Sequence, residues 1–384
     1  MKKSSGSARR VIGLVLVGLL AGVGSASLPT PAQAATPGWT HDGYGPGNTG
    51  YNAAESVVNS GTIKKLKLKW RAVPQPGTDG CQEQTTPVVA DGRMFMIDGG
   101  GVGAYDFKTG RRLWSNPTVM EDLVHRTMTV TGGLVITTGY WCYGVSDPSG
   151  HIVALDAETG KVRWSLLEGS ATESVLADSG MLVSYSVCEV CSSYWVSGYR
   201  ASDGAYVWGQ EGVLSSPVSA GGRLLLTGTE MGSFAVAATT GKLLWRSGVA
   251  WSVLASNPSG DQFYVRGPEG RLAALKAATG KVLWSMPSAA GQLSADGRRV
   301  YVSHEGAITA YDAADGRQLW RRAGVPDSRP IRAGGLLYVA GSILSPVNGS
   351  LVMSATYSSP YHHAVVVGGR VLRVKGYEVQ AYGS

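Results

Sequence analysis

Short apolar runs and glycine-containing turns alternate from about residue 66 to the end of the chain. The segment PVVADGRMFMIDGG (Pro87–Gly100) shows the pattern, with two apolar runs separated by Asp-Gly. Short apolar runs bounded by Gly and Asp are typical of strands joined by hairpins. The pattern therefore predicts an all-β chain.

Seven segments share nearly the same ending, in which an apolar residue leads through small or polar residues to Thr/Asp/Asn-Gly and then to Trp. The copies are Ala104–Trp114, Ala154–Trp164, Gly198–Trp208, Val236–Trp245, Ala274–Trp284, Ala310–Trp320 and Leu344–Met353, the last with Met in place of Trp. They recur every 33 to 50 residues. That period is the size of one four-stranded propeller blade.

Each copy has a physical interpretation as a hairpin. The apolar stretch is a strand, the Gly pair supplies a turn with positive φ, and the final run is an outer strand. Its Trp is expected to cover the seam to the neighbouring blade. A second hairpin, such as Pro217–Gly228, precedes each copy. Two hairpins make a four-stranded antiparallel sheet, and such sheets bury their faces by stacking around an axis.

The two ends of the chain predict how the ring closes. A lone strand with its own Trp70, Leu66–Ala72, precedes the first full repeat, and three strands in Ala364–Val374 and Tyr377–Tyr382 follow the last. We expect the N-terminal strand to complete the C-terminal blade, which removes free sheet edges. The prediction is an eight-bladed β-propeller. If the degenerate seventh copy were a loop, the ring would have seven blades.

The repeat A-x-D-x-x-T-G-x-x-x-W, as in Ala154–Trp164, resembles that of the pyrroloquinoline quinone (PQQ) propeller proteins. The stretch Gly43–Glu55 is also similar to the N-terminal segment of that family, and the resemblance extends over residues 40–384. It implies the propeller fold. The family contains quinoprotein alcohol and glucose dehydrogenases, but also non-catalytic propellers, among them an outer-membrane assembly lipoprotein.

The first 34 residues are typical of a secretory signal. A basic start is followed by the apolar run VIGLVLVGLLAGVG and an A-x-A site at Ala32–Ala34. The run is too short for an uncleaved anchor, the alternative. We therefore expect a signal peptide at 1–34, an N-terminal extension at 35–62 and a single propeller domain at 63–384. No cysteine precedes Cys81, so no lipid anchor is expected.

The expected location is the extracellular or cell-wall space, with no membrane span in the mature chain. Loss of the signal lowers the formal charge from +7 to +3, since four basic residues leave with it. A balance this modest gives no case for nucleic-acid binding. We expect a monomer.

Four cysteines suit an oxidising compartment. Cys188 and Cys191 form CEVC at a predicted hairpin tip, and we expect a local disulfide there. A redox site is the alternative, but its usual βαβ context is missing. Cys81 and Cys142 are placed to pair across a blade seam. Zinc bound by all four is the remaining interpretation, although a second C-x-x-C is lacking.

Ligands of propellers usually meet the end of the channel where the inner strands begin. Aligning those strands on their Gly turns gives the ring Thr86, Thr127, Glu173, Ser216, Trp251, Gly291, Arg329 and His363. The candidate ligand-binding residues are Glu173, Trp251, Arg329 and His363, with Arg126 one position further out. Together they suit a polar, ring-bearing or anionic ligand. Alternatively Glu173 pairs with Arg126 and Trp251 caps a wet channel, and an alignment slip of one residue would exchange faces.

The resemblance implies a test for the cofactor. The dehydrogenases of the family hold calcium with acidic and amide groups and use an Asp as general base. A Trp lies under PQQ, and a disulfide between adjacent cysteines often lies next to the cofactor. This chain has no Cys-Cys pair, and its ring offers one acid, Glu173. The repeat aspartates Asp106, Asp156 and Asp312 are interpreted as hairpin residues. No cofactor is firmly implied, PQQ with calcium remains the alternative, and no metal site is predicted.

Tyrosine is abundant, at 17 residues against four phenylalanines. The aromatic loop tips Gly139–Gly144 and Ser192–Trp195 could contact a glycan or a protein, or could simply fill loops. No pair of carboxylates marks a polysaccharide lyase or hydrolase, the third alternative. We predict a non-catalytic binding platform for a protein, cell-wall or small-molecule ligand. The second hypothesis is a quinoprotein dehydrogenase that oxidises an alcohol or a sugar.

Overall fold

A computed structural model describes residues 38–75, 85–98, 101–117, 123–141, 149–188, 192–214, 218–228, 232–287, 291–355, 357 and 363–384, with only the backbone at 123–126 and 141. All of them belong to one compact unit, Ala35–Ser384. The predicted signal peptide lies outside the described residues. Within the described part, no helix is long and apolar enough to cross a membrane.

The described elements are almost entirely strands, which confirms the all-β prediction. Two short 3-10 helices, Ile63–Lys65 and Pro268–Gly270, interrupt them. Strands β1 (Tyr51–Asn52) and β2 (Lys67–Ala72) precede the first complete sheet.

Blades 1 to 4 follow in chain order. Blade 1 consists of β3 (Val88–Ala90), β4 (Arg93–Asp98), β5 (Gly101–Asp106) and β6 (Arg112–Asn116). Blade 2 consists of β7 (Leu123–Thr131), β8 (Leu134–Trp141), β9 (Gly150–Asp156) and β10 (Val162–Glu168). Blade 3 consists of β11 (Ala171–Asp178), β12 (Met181–Cys188), β13 (Ser193–Arg200) and β14 (Tyr206–Glu211). Blade 4 consists of β15 (Ser219–Ala220), β16 (Arg223–Thr227), β17 (Ser233–Ala237) and β18 (Leu243–Ser247).

Blades 5 to 8 complete the ring. Blade 5 consists of β19 (Ser252–Ser256), β20 (Gln262–Arg266), β21 (Leu272–Lys276) and β22 (Val282–Met286). Blade 6 consists of β23 (Gln292–Ala295), β24 (Arg299–His304), β25 (Ala307–Asp312) and β26 (Gln318–Ala323). Blade 7 consists of β27 (Ile331–Ala333), β28 (Leu336–Val339), β29 (Ser342–Leu344) and β30 (Leu351–Ser354), and blade 8 of β31 (Val365–Val367), β32 (Arg370–Lys375), β33 (Glu378–Gly383) and the early strand β2.

The ring closes as predicted. Strand β2 pairs antiparallel with β33, from Lys67 opposite Gly383 to Ala72 opposite Val379, and so becomes the outer strand of blade 8. The degenerate seventh copy forms the outer hairpin β29–β30 of blade 7. The propeller therefore has eight blades, and the seven-bladed alternative is wrong.

A tryptophan latch joins successive blades. At seven junctions the Trp of one outer strand donates its indole N–H to a backbone carbonyl in the turn before the outer strand of the next blade. The pairs are Trp70–Phe107, Trp114–Ala157, Trp164–Ala201, Trp208–Ala238, Trp245–Ala277, Trp284–Ala313 and Trp320–Pro346, with N···O distances of 2.8 to 3.3 Å. The prediction that the Trp covers the blade seam is confirmed.

The motif glycine belongs to the same latch. Gly316 has φ of +75°, and a Cβ on it would lie 2.7 Å from Cε3 of Trp284 on the preceding blade. Glycine is therefore needed twice, for the left-handed backbone and for the close approach of the indole.

The repeat aspartates lie in these hairpins, as predicted. Oδ1 of Asp106 accepts hydrogen bonds from the backbone N–H and the hydroxyl of Thr109, and Asp156 binds Thr159 in the same way. These side chains hold the turn that presents the glycine to the latch.

The double role of the glycine can be separated by substitution. Gly316→Ala should lower the free energy of unfolding by the left-handed cost of about 1–2 kcal/mol and by about 1–3 kcal/mol more for overpacking against Trp284. Gly335 has the same φ of +75° but nothing within 4 Å of its Cβ position, so Gly335→Ala should show the first cost alone. Thermal and denaturant unfolding of both variants measures the difference, and equal losses would contradict the latch.

Candidate functional site at the mouth of the channel

The first strands of neighbouring blades contact one another, so they line the central channel. Residues 38–55, here called the channel segment, lie against these strands and contact all eight blades in order. The hydrogen-bonded pairs are Trp39–Val89, Thr40–Val130, His41–Ala177, Pro46–Ser219, Gly47–Ser256, Thr49–Ala295, Gly50–Arg332 and Asn52–Val366. From its sequence this stretch is an N-terminal extension, of which Gly43–Glu55 resembles the N-terminal segment of the family. The structure places it inside the ring.

The contacts of the channel segment lie near the ends of the inner strands. Val89 precedes the turn at Gly92, and Ala177 precedes the turn at Gly180. The segment therefore closes that end of the channel. At the opposite end, where the inner strands begin, it forms the floor of a pocket.

This mouth pocket has a cavity volume of about 390 Å³. Its lining is Asp42 and Asn48 from the channel segment with Val253, Leu254, Arg266, Gly291, Gln292, Leu293, Arg329 and His363 from blades 5 to 8 and the segments that lead into them. Two of the predicted candidates, Arg329 and His363, thus come together here. Six of its ten lining residues are polar or charged, so the pocket can orient a ligand through polar contacts.

Arg329 and His363 both bind the channel segment. The Arg329 guanidinium lies 2.7 Å from Oδ2 of Asp42 and 2.7 Å from Oδ1 of Asn48. Nε2 of His363 lies 2.6 Å from the backbone carbonyl oxygen of Asp42. Because a carbonyl only accepts, that ring nitrogen carries the proton.

Asp42 lies deep in the channel, yet its side chain keeps 53% of its accessible surface because it faces the open pocket. Burial raises its pKa, but the nearby His363 and Arg329 outweigh this and lower the pKa to about 2. The side chain is therefore a carboxylate throughout the physiological pH range. Its charge balances that of Arg329.

Arg266 is the second cation of the mouth pocket. It is exposed at the end of β20, and its guanidinium has no hydrogen-bond or ion-pair partner among the described residues. The pocket thus presents two guanidinium groups against one carboxylate. Charge-assisted hydrogen bonds from guanidinium groups favour carboxylate and phosphate oxygens.

The other predicted candidates lie elsewhere. Trp251 is 3% exposed and packs between blades 4 and 5 with Leu225 and Phe263, so it does not line the mouth pocket. Glu173 is partly buried in β11 and is not in the pocket lining either. The Arg126 side chain lies outside the described residues.

The cysteine predictions fall largely outside the described residues, which leave out Cys81, Cys142 and Cys191. Cys188, at the end of β12, is in a disulfide bond whose partner is not described. The pairings Cys188–Cys191 and Cys81–Cys142 stay predictions.

Sequence reasoning missed Asp42 and Asn48. Both belong to a glycine-rich stretch in which Tyr44 and Asn48 have positive φ values of 87° and 51°. Such conformations in non-glycine residues are uncommon and mark tightly constrained backbone. The density of Gly, Asn and Pro in Gly43–Glu55 was the available signal.

The mouth pocket does not fit calcium-bound PQQ. Calcium takes six to eight oxygen ligands, with several carboxylates. The lining contains one carboxylate, Asp42, and both it and the amide oxygen of Asn48 already bind Arg329. Across the described residues no group of three or more His, Cys, Asp or Glu could hold a metal ion. The candidate stacking plate, Trp251, is buried between blades.

A family model described as outer membrane protein assembly factor BamB matches residues 60–219, 192–295 and 230–381. The chain belongs to this family of PQQ-like propellers. The resemblance found in the repeats is thereby confirmed.

Relatives of both kinds are found. A quinohemoprotein alcohol dehydrogenase of Comamonas testosteroni is 31% identical over 34% of this chain but only 18% of its own length. The outer membrane protein assembly factor BamB of Shewanella oneidensis is 24% identical over 52% of this chain and 51% of its own length. The chain thus matches about a fifth of the first and half of the second.

Solved structures show the same fold. The Comamonas testosteroni dehydrogenase superposes with a TM-score of 0.66 at 14% identity, covering 90% of this chain and 80% of that one. BamB from Moraxella catarrhalis superposes with a TM-score of 0.59 at 17% identity, covering 83% of this chain and all of that one. At such identities the likeness concerns the fold alone.

His41 should make the channel segment sensitive to acid. Burial lowers the pKa of His41 to about 4, although Asp178 and Asp42 oppose the shift, and the Ala177 N–H donates to its Nε2. Below about pH 6.5 this histidine is protonated in the unfolded chain, whereas in the folded protein it is protonated only below about pH 4. The free energy of unfolding should therefore fall by about 2–3 kcal/mol between pH 7 and 4.5.

Denaturant unfolding at both pH values measures this loss. In His41→Gln, which removes the titrating ring, the difference should shrink by the same amount. A pH dependence that is unchanged in this variant would contradict the assignment.

Proposed function

We propose that this protein is a secreted, non-catalytic propeller whose mouth pocket binds an anionic group of a cell-wall, protein or small-molecule ligand. The observation that carries the proposal is the excess of guanidinium groups in the mouth pocket. Arg266 has no partner in the described part of the chain, while Arg329 is held in place by Asp42 and Asn48. Because these contacts already fix the Arg329 guanidinium, that group needs little ordering when a ligand binds.

The channel segment supports a role without a cofactor. It closes one end of the channel, and its Asp42 carboxylate forms an ion pair with Arg329 at 2.7 Å. The part of the mouth formed by Asp42, Asn48 and Arg329 is therefore a hydrogen-bonded surface made by the chain itself. Rigid propeller mouths of this kind suit recognition, with the surrounding loops adding specificity.

The charge argument predicts opposite effects for two substitutions. Arg266→Gln should weaken the binding of citrate, used as a carboxylate probe, by about tenfold or more, because a charged hydrogen bond contributes about 1.5–3 kcal/mol. Asp42→Asn should strengthen it, because Arg329 loses its competing carboxylate. Isothermal titration calorimetry measures both.

The control is Arg111→Gln, which removes the same charge from an exposed turn of blade 1. If both variants weakened citrate binding equally, the effect of Arg266→Gln would come from the net charge of the protein and not from a contact in the pocket. A wild-type protein that binds neither citrate nor inorganic phosphate would overturn the anion site.

The second candidate function is a quinoprotein dehydrogenase, which the match to the Comamonas testosteroni enzyme favours. The purified protein should be titrated with PQQ and calcium, with absorbance, thermal shift and dye reduction in the presence of ethanol and glucose as readouts. From the donor set of the mouth pocket we expect no saturable binding. Saturable binding with a raised melting temperature and dye reduction would replace our proposal.

A further inference from the structure

A second pocket lies on blade 3 and shares no lining residue with the mouth pocket. Its cavity volume is about 470 Å³. The lining from the end of β10 and the residues that follow it is Leu167, Glu168, Gly169 and Ser170, and the lining from β12 and β13 is Ser186, Ser193, Trp195, Ser197 and Tyr199. It contains Trp195 of the aromatic tip Ser192–Trp195. We call it the blade 3 pocket.

One face of blade 3 is unusually polar. The register places Ser186 opposite Trp195 and Ser184 opposite Ser197, so their side chains share a face. The alternate residues on the other face, such as Val183, Tyr185 and Val196, pack into an apolar core with blade 4. The face that carries Ser184 and Ser186 packs against blade 2 through Leu182 and Tyr199, but its serines are polar groups that this apolar packing does not explain.

The carboxylate of Glu168 organises that polar face. The residue is 9% exposed, and four hydroxyl groups donate to it. Those of Ser184 and Tyr199 bind Oε1 at 2.6 and 2.7 Å, and those of Thr172 and Ser186 bind Oε2, the former at 2.7 Å. No cation of the described chain pairs with Glu168.

The direction of these hydrogen bonds determines whether the blade 3 pocket presents donors or acceptors to a ligand. A hydroxyl has one proton to donate, and each of the four gives it to Glu168. Towards any further partner these oxygens can therefore only accept. Ser186 and Tyr199 lie in the pocket lining, where the Tyr199 hydroxyl is also hydrogen-bonded to Ser197. Burial and the Glu168 carboxylate raise the pKa of Tyr199, which keeps its phenol protonated. The pocket is a set of fixed acceptors for a ligand with hydroxyl donors.

Trp195 supplies an apolar surface beside these acceptors. It is 38% exposed, and its indole N–H has no partner among the described residues. The seven latch tryptophans, in contrast, donate to carbonyl groups of a neighbouring blade. An exposed indole ring presents a flat face for apolar C–H groups and one free donor at its edge.

We propose that the blade 3 pocket binds a neutral sugar, with a pyranose ring stacked on Trp195 and its hydroxyls donating to the oxygens of Ser186 and Tyr199. Pyranose rings combine an apolar face with a rim of hydroxyl donors, which matches both halves of the pocket. The volume lies within the range of small-molecule sites. The inference stands apart from the anion site at the channel mouth.

Saturation-transfer NMR and calorimetry with maltose, cellobiose and N,N′-diacetylchitobiose test the free sugars, and co-sedimentation with insoluble peptidoglycan and cellulose tests polymers. We expect binding of at least one of these sugars. Trp195→Ala should weaken it by about tenfold, which is about 1.4 kcal/mol, and Trp195→Phe should restore part of it. Binding to the polymers alone would identify a cell-wall polysaccharide as the ligand, and binding of the free sugars would identify a soluble sugar.

Two variants isolate the blade 3 pocket. Ser186→Ala removes one acceptor from the pocket lining and should also weaken binding. Tyr377→Ala deletes a comparably exposed aromatic ring (47% exposed) on blade 8 and should have no effect. Absence of binding to every sugar and polymer tested, or equal affinity in wild type, Trp195→Ala and Ser186→Ala, would overturn the proposal.

Discussion

The contact of a tryptophan with a glycine on the next blade is the interaction on which this ring depends. The indole packs where a Cβ would stand and donates its N–H to a carbonyl of the same turn. A four-stranded sheet cannot bury both of its faces alone, so each blade is stable only beside its neighbours. The latch sets how neighbouring blades are aligned, because the indole ring must contact the glycine while its N–H reaches the carbonyl of the same turn.

The junction between blades 7 and 8 shows what happens where the latch is missing. Met353 stands in place of Trp and has no N–H to donate. Here the channel segment joins the two blades, since β1 pairs in parallel with β27 and Asn52 donates to the carbonyl of Val366. The buried carboxylate of Glu55 accepts the N–H of Gly369 on blade 8 as well. The least regular repeat is thus supported by the N-terminal chain.

The same segment decides the character of the mouth. Without the channel segment, the side chains of Arg329 and His363 would line the mouth with no contact to fix their direction. Contacts with Asp42 and Asn48 fix the direction of the guanidinium of Arg329 and the imidazole of His363. Among the described residues of the pocket, Arg266 on blade 5 is the cation without a partner. The anion site that we propose therefore depends on how residues 38–55 lie within the ring.

The number of blades, the outer hairpins and the closure by β2 could all be predicted from the sequence, because each follows from a local, repeated pattern. The turn Gly and the Trp, or Met in the seventh copy, are four residues apart in every copy, and their chemistry does not depend on distant residues. The same alignment predicts Arg329 and His363 at the channel mouth, since each precedes an inner strand, and both line the mouth pocket. Their role in ligand binding stays a prediction. Trp251 was placed with them by position, yet its ring lies between blades, because an apolar side chain at a strand start can turn towards the seam.

Only the tertiary structure decided which groups meet. Asp42 and Arg329 are far apart in sequence and come within 2.7 Å because the channel segment runs through the ring. The Glu168 cluster joins the end of blade 2 to the polar face of blade 3 for a similar reason. Sequence patterns report periodicity within a blade, and therefore determined the architecture. Charge pairing across the channel and between blades depends on non-local packing, which no repeat encodes.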